Sequence, residues 1–584
     1  MIISPTAPAV VCLLSLGLSS AQEISDVWQT TWNRTSLFQF QNQSPVPTFT
    51  SKVASAISNI VVNEAKVYQP VLGFGGTFTD SSAQLLAGLK VAIFVDSTQH
   101  TANSLWYLDD ELNELLVSPQ LYVFASRRRP FCWPELPKNT PWCNRLFNGS
   151  YDEVDGDLCL NDLDVNSARP YIFEILKDIQ SINNMLRVHL LPWSPPAWMK
   201  DSGTAFGGAL QEEYLPMFAH YLLKSLEAFQ SKGIKVYAIS VQNEPMYETT
   251  TDPTTTYTPE IEGQVATLLK KLMIMKGFGD TKLIGFEQNW DQASGYATQL
   301  MKVAGGAFDG VAFHCAAGSV GQQDAFHAAF PEKEIYLTEC SGTLGTDWWG
   351  DTKVWLDLFQ CVNVTLTQEQ WYMDNIFIGS IEHNAQTAMM WNLVLDASGN
   401  PMLPGATGCG TNGCRGIVTI NGNGTWSVNQ EFYSMAQASK GIIPRDIGGP
   451  SARRIGLAVQ GTMSAALRVG AYVTYRTSSK DAPRYSLVVL NWNDNASSGW
   501  NPQPVTSTIE FRGKRATFTF PVGVTTLSWY AANITQLATR EEDFLVGPME
   551  RDGHSIPSES GLKFLEFNPQ STVGQSEGGC SALQ

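Results

Sequence analysis

From about residue 73 to 437, short runs of β-branched and aromatic residues alternate with stretches of helical period, the pattern of repeated βαβ units. LRVHLLPW (186–193) predicts a strand. YLPMFAHYLLKSLEAFQSKG (214–233) then repeats apolar residues three and four apart and stops at Gly233, where a helix C-terminus is expected. KVYAISVQ (235–242) and KLIGFEQN (282–289) read as further strands. DGVAFHC (309–315), EIYLTEC (334–340) and TAMMWNLVL (387–395) are apolar on both faces, as in a parallel sheet covered by helices.

After Pro444 the texture changes to strands separated by turn residues, without long helices: TMSAALRVG, YSLVVLNWN, STIEFRG, ATFTFPV and TTLSWYAA. This predicts an all-β module of sandwich type. Residues 22–65 are also strand-like, and joining them to the C-terminal module would tie both chain ends to one domain. The expected fold is therefore α/β: a (β/α)8 TIM barrel over 66–444 with an attached β-sandwich built from 445–538 and the N-terminal strands. Residues 539–584, rich in Glu, Gly, Ser and Pro, predict a loose tail.

Composition narrows the function classes. With 43% hydrophobic and 16% charged residues, the 584-residue chain can bury large cores. Its formal charge of −17 would repel nucleic acid and anionic membranes, and no internal run is long and apolar enough to span a bilayer. Residues 1–21 join an apolar run to the small residues Ser19, Ser20 and Ala21, predicting a secretory leader cut after Ala21. Seven N-x-S/T sequons, at Asn33, Asn42, Asn148, Asn363, Asn423, Asn495 and Asn533, fit that route. In an oxidising compartment Cys409 and Cys414, within GCGTNGC, are the first expected disulfide, whereas Cys340 reads as a small buried apolar residue. Neither metal nor other cofactor is expected, since no His or Cys pair follows at zinc spacing. A monomer is expected.

Two strand ends carry glutamates. KVYAISVQ runs into Asn243-Glu244-Pro245, and EIYLT runs into Glu339-Cys340. In a (β/α)8 barrel the loops after the strands form the cleft, so groups at strand C-terminal ends face it. At roughly 31 residues per βα unit, the two glutamates stand about three strands apart around the mouth. Paired carboxylates, one protonated and one ionised, are the equipment for cleaving glycosidic bonds. Asn243 could hydrogen-bond a sugar 2-hydroxyl. Trp193 and Trp391, which follow strands, could cover the apolar face of a sugar ring, with Trp198, Trp348 and Trp349 as further candidates.

At this point the chain resembles glycoside hydrolase family 30, the retaining β-glycosidases that include glucosylceramidases and fungal endo-β-1,6-glucanases. The matching segments are GFGGTFTD (73–80), LLPWSPPAWMK (190–200), VQNEP (241–245), VAFHC (311–315), YLTEC (336–340) and MMWNLVLDASGNP (389–401), in family order. The resemblance implies Glu244 as general acid/base and Glu339 as nucleophile, with Asn243, Asp80, Trp193, His314 and Trp391 binding substrate. The stretches 313–318 and 395–420 resemble the fungal endo-β-1,6-glucanase branch, which implies a β-glucan substrate outside the cell; a glucosylceramidase-like β-glucosidase is the alternative.

Two departures from the family pattern stand out. Ala316 occupies a position where the family commonly has a Tyr that bonds the nucleophile. Residues 91–148 lack the family's second-strand motif, and their Pro-rich texture with Arg127-Arg128-Arg129 predicts no barrel strand. An open barrel would leave its neighbours' edges unpaired and reduce the protein to an impaired carbohydrate-binding remnant.

Overall fold

The computed structural model describes residues 22–97 apart from 52 and 54, then 122–126, 160, 163, 170–346, 348–349, 371–402, 409, 412–494 and 501–532. The leader, the tail, Arg127 to Arg129 and the sequons at Asn148, Asn363, Asn495 and Asn533 lie outside the described residues.

Eight parallel strands close into a barrel: β1 (Gly73–Thr79), β2 (Tyr122–Ser126), β3 (Arg187–Leu190), β4 (Val236–Ser240), β5 (Lys282–Asn289), β6 (Gly310–His314), β7 (Glu334–Glu339) and β8 (Ala385–Met390). β8 pairs with β1 through Thr387 to Met390, which completes the circle. The expectation that residues 91–148 supply no strand is overturned. Within them β2 pairs Val123 with Gly76 on one side and with Val188 on the other, so both neighbours find their backbone partners. A barrel position needs only about five residues of extended backbone, and YVFAS provides them; the Pro and Arg texture that argued against a strand belongs to its flanks. With the circle closed, the premise of an impaired remnant falls.

Inside the barrel the side chains form an apolar floor under a polar layer. Ala238, Ile284, Ala312, Tyr336 and Met389, one each from β4 to β8, pack into one cluster with Leu72 and Leu191. Strand side chains repeat every second residue, so two positions nearer the C-terminal ends stand Ser240, His314 and Thr338 on the same inward face. On β5 the residue two beyond Ile284 is Phe286, yet the pairing with β6 shifts register between Gly285 and Gln288. That bulge sends Phe286 outward against Phe313 and Tyr296 and leaves Glu287 to fill the inward polar layer.

The first and last described strands meet in a second body. Ile24–Thr31 pairs antiparallel with Gly523–Tyr530, and Ser58–Val71 lies between Ala452–Gly461 and Val505–Phe511. This nine-stranded sheet folds over a core that includes Val27, Ile60, Leu487, Phe511 and Trp529. Along Arg484–Asn491 every residue is buried, because Tyr485, Leu487 and Val489 face that core while Val488 and Leu490 join the barrel's own core. The helix Gln430–Ile442 packs on this outer face. A Cβ at Gly441 would stand 2.7 Å from Val488, so glycine sets how closely helix and sheet approach.

Candidate active site

The C-terminal end of β4 is stitched to both neighbours. Asn243 N donates to Pro192 O (2.9 Å) beyond β3, and Glu244 N donates to Glu287 O (3.0 Å) on β5. Gln242 Nε2 donates to Trp193 O (2.7 Å) and Asn243 O (2.8 Å). These bonds hold Glu244 at φ +44°, a left-handed conformation costly for a residue with a Cβ. Glu339 ends β7 and lies opposite His314 at the end of β6. One oxygen from each of Glu244 and Glu339 and a ring nitrogen of His314 all lie within 4.8 Å of one another.

His314 is buried and ties this group to the polar layer below. Its Nδ1 is 3.0 Å from Glu244 Oε1, and its Nε2 stands 3.5 Å from Glu287 Oε2, a charge contact longer than a formed hydrogen bond. Burial alone would lower the imidazole's pKa; the charge of Glu339, with Glu244 and Glu287, outweighs burial and raises it to about 10. The ring is therefore held as a cation beside the carboxyl groups of Glu244, Glu287 and Glu339. An imidazolium has no free lone pair, so the three donors, although close enough to surround an ion, are poorly suited to ligate one.

Glu287 is fully buried, with φ +47° after Phe286 at +78°. Ser240 Oγ donates to its Oε1 at 2.5 Å and Thr338 Oγ1 to its Oε2 at 2.6 Å, with His189 Nε2 3.4 Å away. Burial pushes its pKa up, but His314, His189 and Ser240 together bring it below the ordinary value, so this carboxylate is ionised. Behind the bulge, Glu262 of the helix Pro259–Met275 accepts from Phe286 N (2.9 Å) and Tyr296 Oη (2.8 Å).

Trp193, Trp391, Asn243 and Asp80, also singled out from sequence, follow strand C-terminal ends. Trp193 and Trp391, after β3 and β8, have ring centroids 5.3 Å apart. Asn243 is buried beside Glu244, and Asp80 opens the helix that follows β1. Trp198 packs edge-on against Tyr214, and Trp348 packs against Tyr433 with the Arg34 guanidinium over its ring, an arrangement of packing contacts. Sequence reasoning missed Glu287 and His189. The rule that selected Glu244 and Glu339, an acid at a strand end, would also have selected Glu287 in KLIGFEQN.

The cysteines divide. Cys409 and Cys414 form the expected disulfide. The reading of Cys340 as a plain apolar residue is corrected, for it is bonded to Cys315 from the neighbouring strand end. Sequence separation concealed this pair, since only the pairing of β6 with β7 brings the two residues together.

Residues 141–406 match the model of the glycosyl hydrolase family 30 TIM-barrel domain. This stretch is a glycosyl hydrolase family 30 TIM-barrel domain. An endo-1,6-beta-D-glucanase of Neurospora crassa is 29% identical over 384 residues, covering 64% of this chain and 70% of that protein. An endo-1,6-beta-D-glucanase of Aspergillus fumigatus is 26% identical over 396 residues, covering 64% and 71%. Among solved structures, the endo-beta1,6-glucanase BT3312 superposes with a TM-score of 0.65 at 22% identity, covering 87% of this chain and 99% of that one. That last likeness speaks for the fold alone.

Proposed function

We propose that this protein is a secreted retaining endo-β-1,6-glucanase that works by double displacement. The observation that carries the reading is the closeness of the two carboxylates, with an oxygen of Glu244 and an oxygen of Glu339 within 4.8 Å. Retaining enzymes keep their carboxyl groups about 5 to 5.5 Å apart, whereas inverting ones need roughly 6.5 to 9.5 Å to admit a water. In the first step Glu339 attacks the anomeric carbon while Glu244, protonated, delivers its proton to the departing glycosidic oxygen. A glycosyl ester on Glu339 results. In the second step Glu244 takes a proton from the water that attacks the same carbon, releasing Glu339 and restoring the β configuration.

The β-1,6 linkage is supported by the likeness to the two fungal endo-1,6-beta-D-glucanases, each matched over about 70% of its length. Secretion is supported by the leader pattern in residues 1–21. No described helix is long and apolar enough to cross a membrane.

The test is hydrolysis of pustulan, a β-1,6-glucan, beside a panel of β-linked glucans and glucosylceramide, with the first product followed by proton NMR. Early β product from pustulan is expected. Early α product would overturn double displacement, and cleavage of glucosylceramide without pustulan would transfer the substrate to a lipid-linked glucose. Azide should rescue Glu244→Gln on a substrate whose leaving group needs no proton, and should leave Glu339→Gln inactive.

A further inference from the structure

The Cys315–Cys340 disulfide joins the residue immediately after His314 to the residue immediately after Glu339. It sits where the two strands part company. The β6–β7 ladder shifts register between Leu337 and Glu339, and past that shift Cys315 N donates to Glu339 O at 3.2 Å. Beyond the cysteines the chains are drawn to opposite neighbours. Ala316 N and Ala317 N donate to Asn289 Oδ1 at the end of β5, at 2.8 and 3.2 Å. On the other side Trp391 N donates to Cys340 O (2.7 Å), and the following Gly342–Thr343 pairs with Cys414–Arg415, where Arg415 is held by Glu431. His314 is likewise pulled toward Glu244 and Glu287, both on the β4–β5 side.

We propose that this disulfide is a positioning element of the active site, fixing the end of β6 to the end of β7 so that His314 and Glu339 hold the spacing the reaction needs. The inference rests on the double-displacement reading above. The cross-link touches no substrate; it acts through the two residues it follows. Its Cys340 half is buried, and the covalent bond spans the point where the hydrogen-bond ladder gives way. A displacement of about 1 Å in a reacting group can cost on the order of a hundredfold in rate, so a fixed separation here bears on turnover more than on affinity.

The experiment compares the full chain with C315A/C340A. In the variant kcat is expected to fall about tenfold or more, with KM changed less than about twofold. The second readout is the His314 titration by NMR, its signal identified among the seven histidines by loss in H314Q. The groups that face this ring are Glu244, Glu287 and Glu339, and loosening Glu339 removes a charge that raises its pKa, so the titration should move down. An unchanged kcat and an unmoved His314 titration, with only a lower melting temperature, would overturn the proposal and leave the disulfide as a plain structural cross-link. Should C315A/C340A fail to fold, the same two readouts are taken on C315S/C340S and C315V/C340V, with the same criteria. If the unmodified chain hydrolyses no β-glucan the functional reading fails, while the His314 titration still decides whether the disulfide sets the geometry.

Discussion

Replacing Glu262 by Gln tests the support behind the β5 bulge. Burial is the leading cause that raises the Glu262 pKa from 4.5 to about 7, opposed by the hydrogen bonds from Phe286 and Tyr296. At 1.36 kcal/mol per unit, this difference between folded and unfolded states is worth on the order of 3 kcal/mol. Between pH 4.5 and 7 the folded protein keeps a proton that the unfolded chain has released. Stability therefore falls as pH rises through that window, and above it the whole cost of the buried charge is borne. The substituted amide cannot ionise, yet it keeps an oxygen for Phe286 N–H and offers an N–H to the Tyr296 hydroxyl oxygen. E262Q should match the unsubstituted protein near pH 4.5 and exceed it by on the order of 3 kcal/mol at pH 8. Urea unfolding followed by tryptophan fluorescence at half-unit pH steps measures the difference. A stability difference that stays constant from pH 4.5 to 8 would refute the reasoning, because a carboxyl that titrates alike in both states contributes no slope.

Glu287→Gln puts an amide where Ser240 and Thr338 donate, so one of those hydroxyls must turn to accept from the amide N–H, and it removes a carboxylate from beside His314. We expect kcat to drop about tenfold or more and the His314 titration to move down; normal kinetics with an unmoved titration would remove Glu287 from the site's electrostatics. Trp193→Phe keeps an aromatic ring but shortens the face set against Trp391, so KM on β-1,6-gluco-oligosaccharides should rise severalfold while kcat changes less than about threefold. Kinetics that lower kcat alone would place Trp193 outside substrate binding.

Much of this molecule was legible in the chain itself. The alternation of apolar strands with helical stretches determined the barrel, because a parallel sheet buried on both faces demands such runs. The turn-rich strands after Pro444 determined the second, all-β body, and strand-end position singled out Glu244 and Glu339. Three things were decided only by the tertiary structure. YVFAS is unremarkable in sequence and becomes β2 because Gly73–Thr79 and Arg187–Leu190 each present an edge that needs a partner. Glu287 faces inward rather than Phe286 because a one-residue bulge reverses the alternation, and Glu262, distant in sequence, pairs the amide the bulge leaves over. Cys315 finds Cys340 because two neighbouring strands end level. In each case the deciding contact joins residues remote along the chain, and a local pattern carries no information about which remote groups will meet.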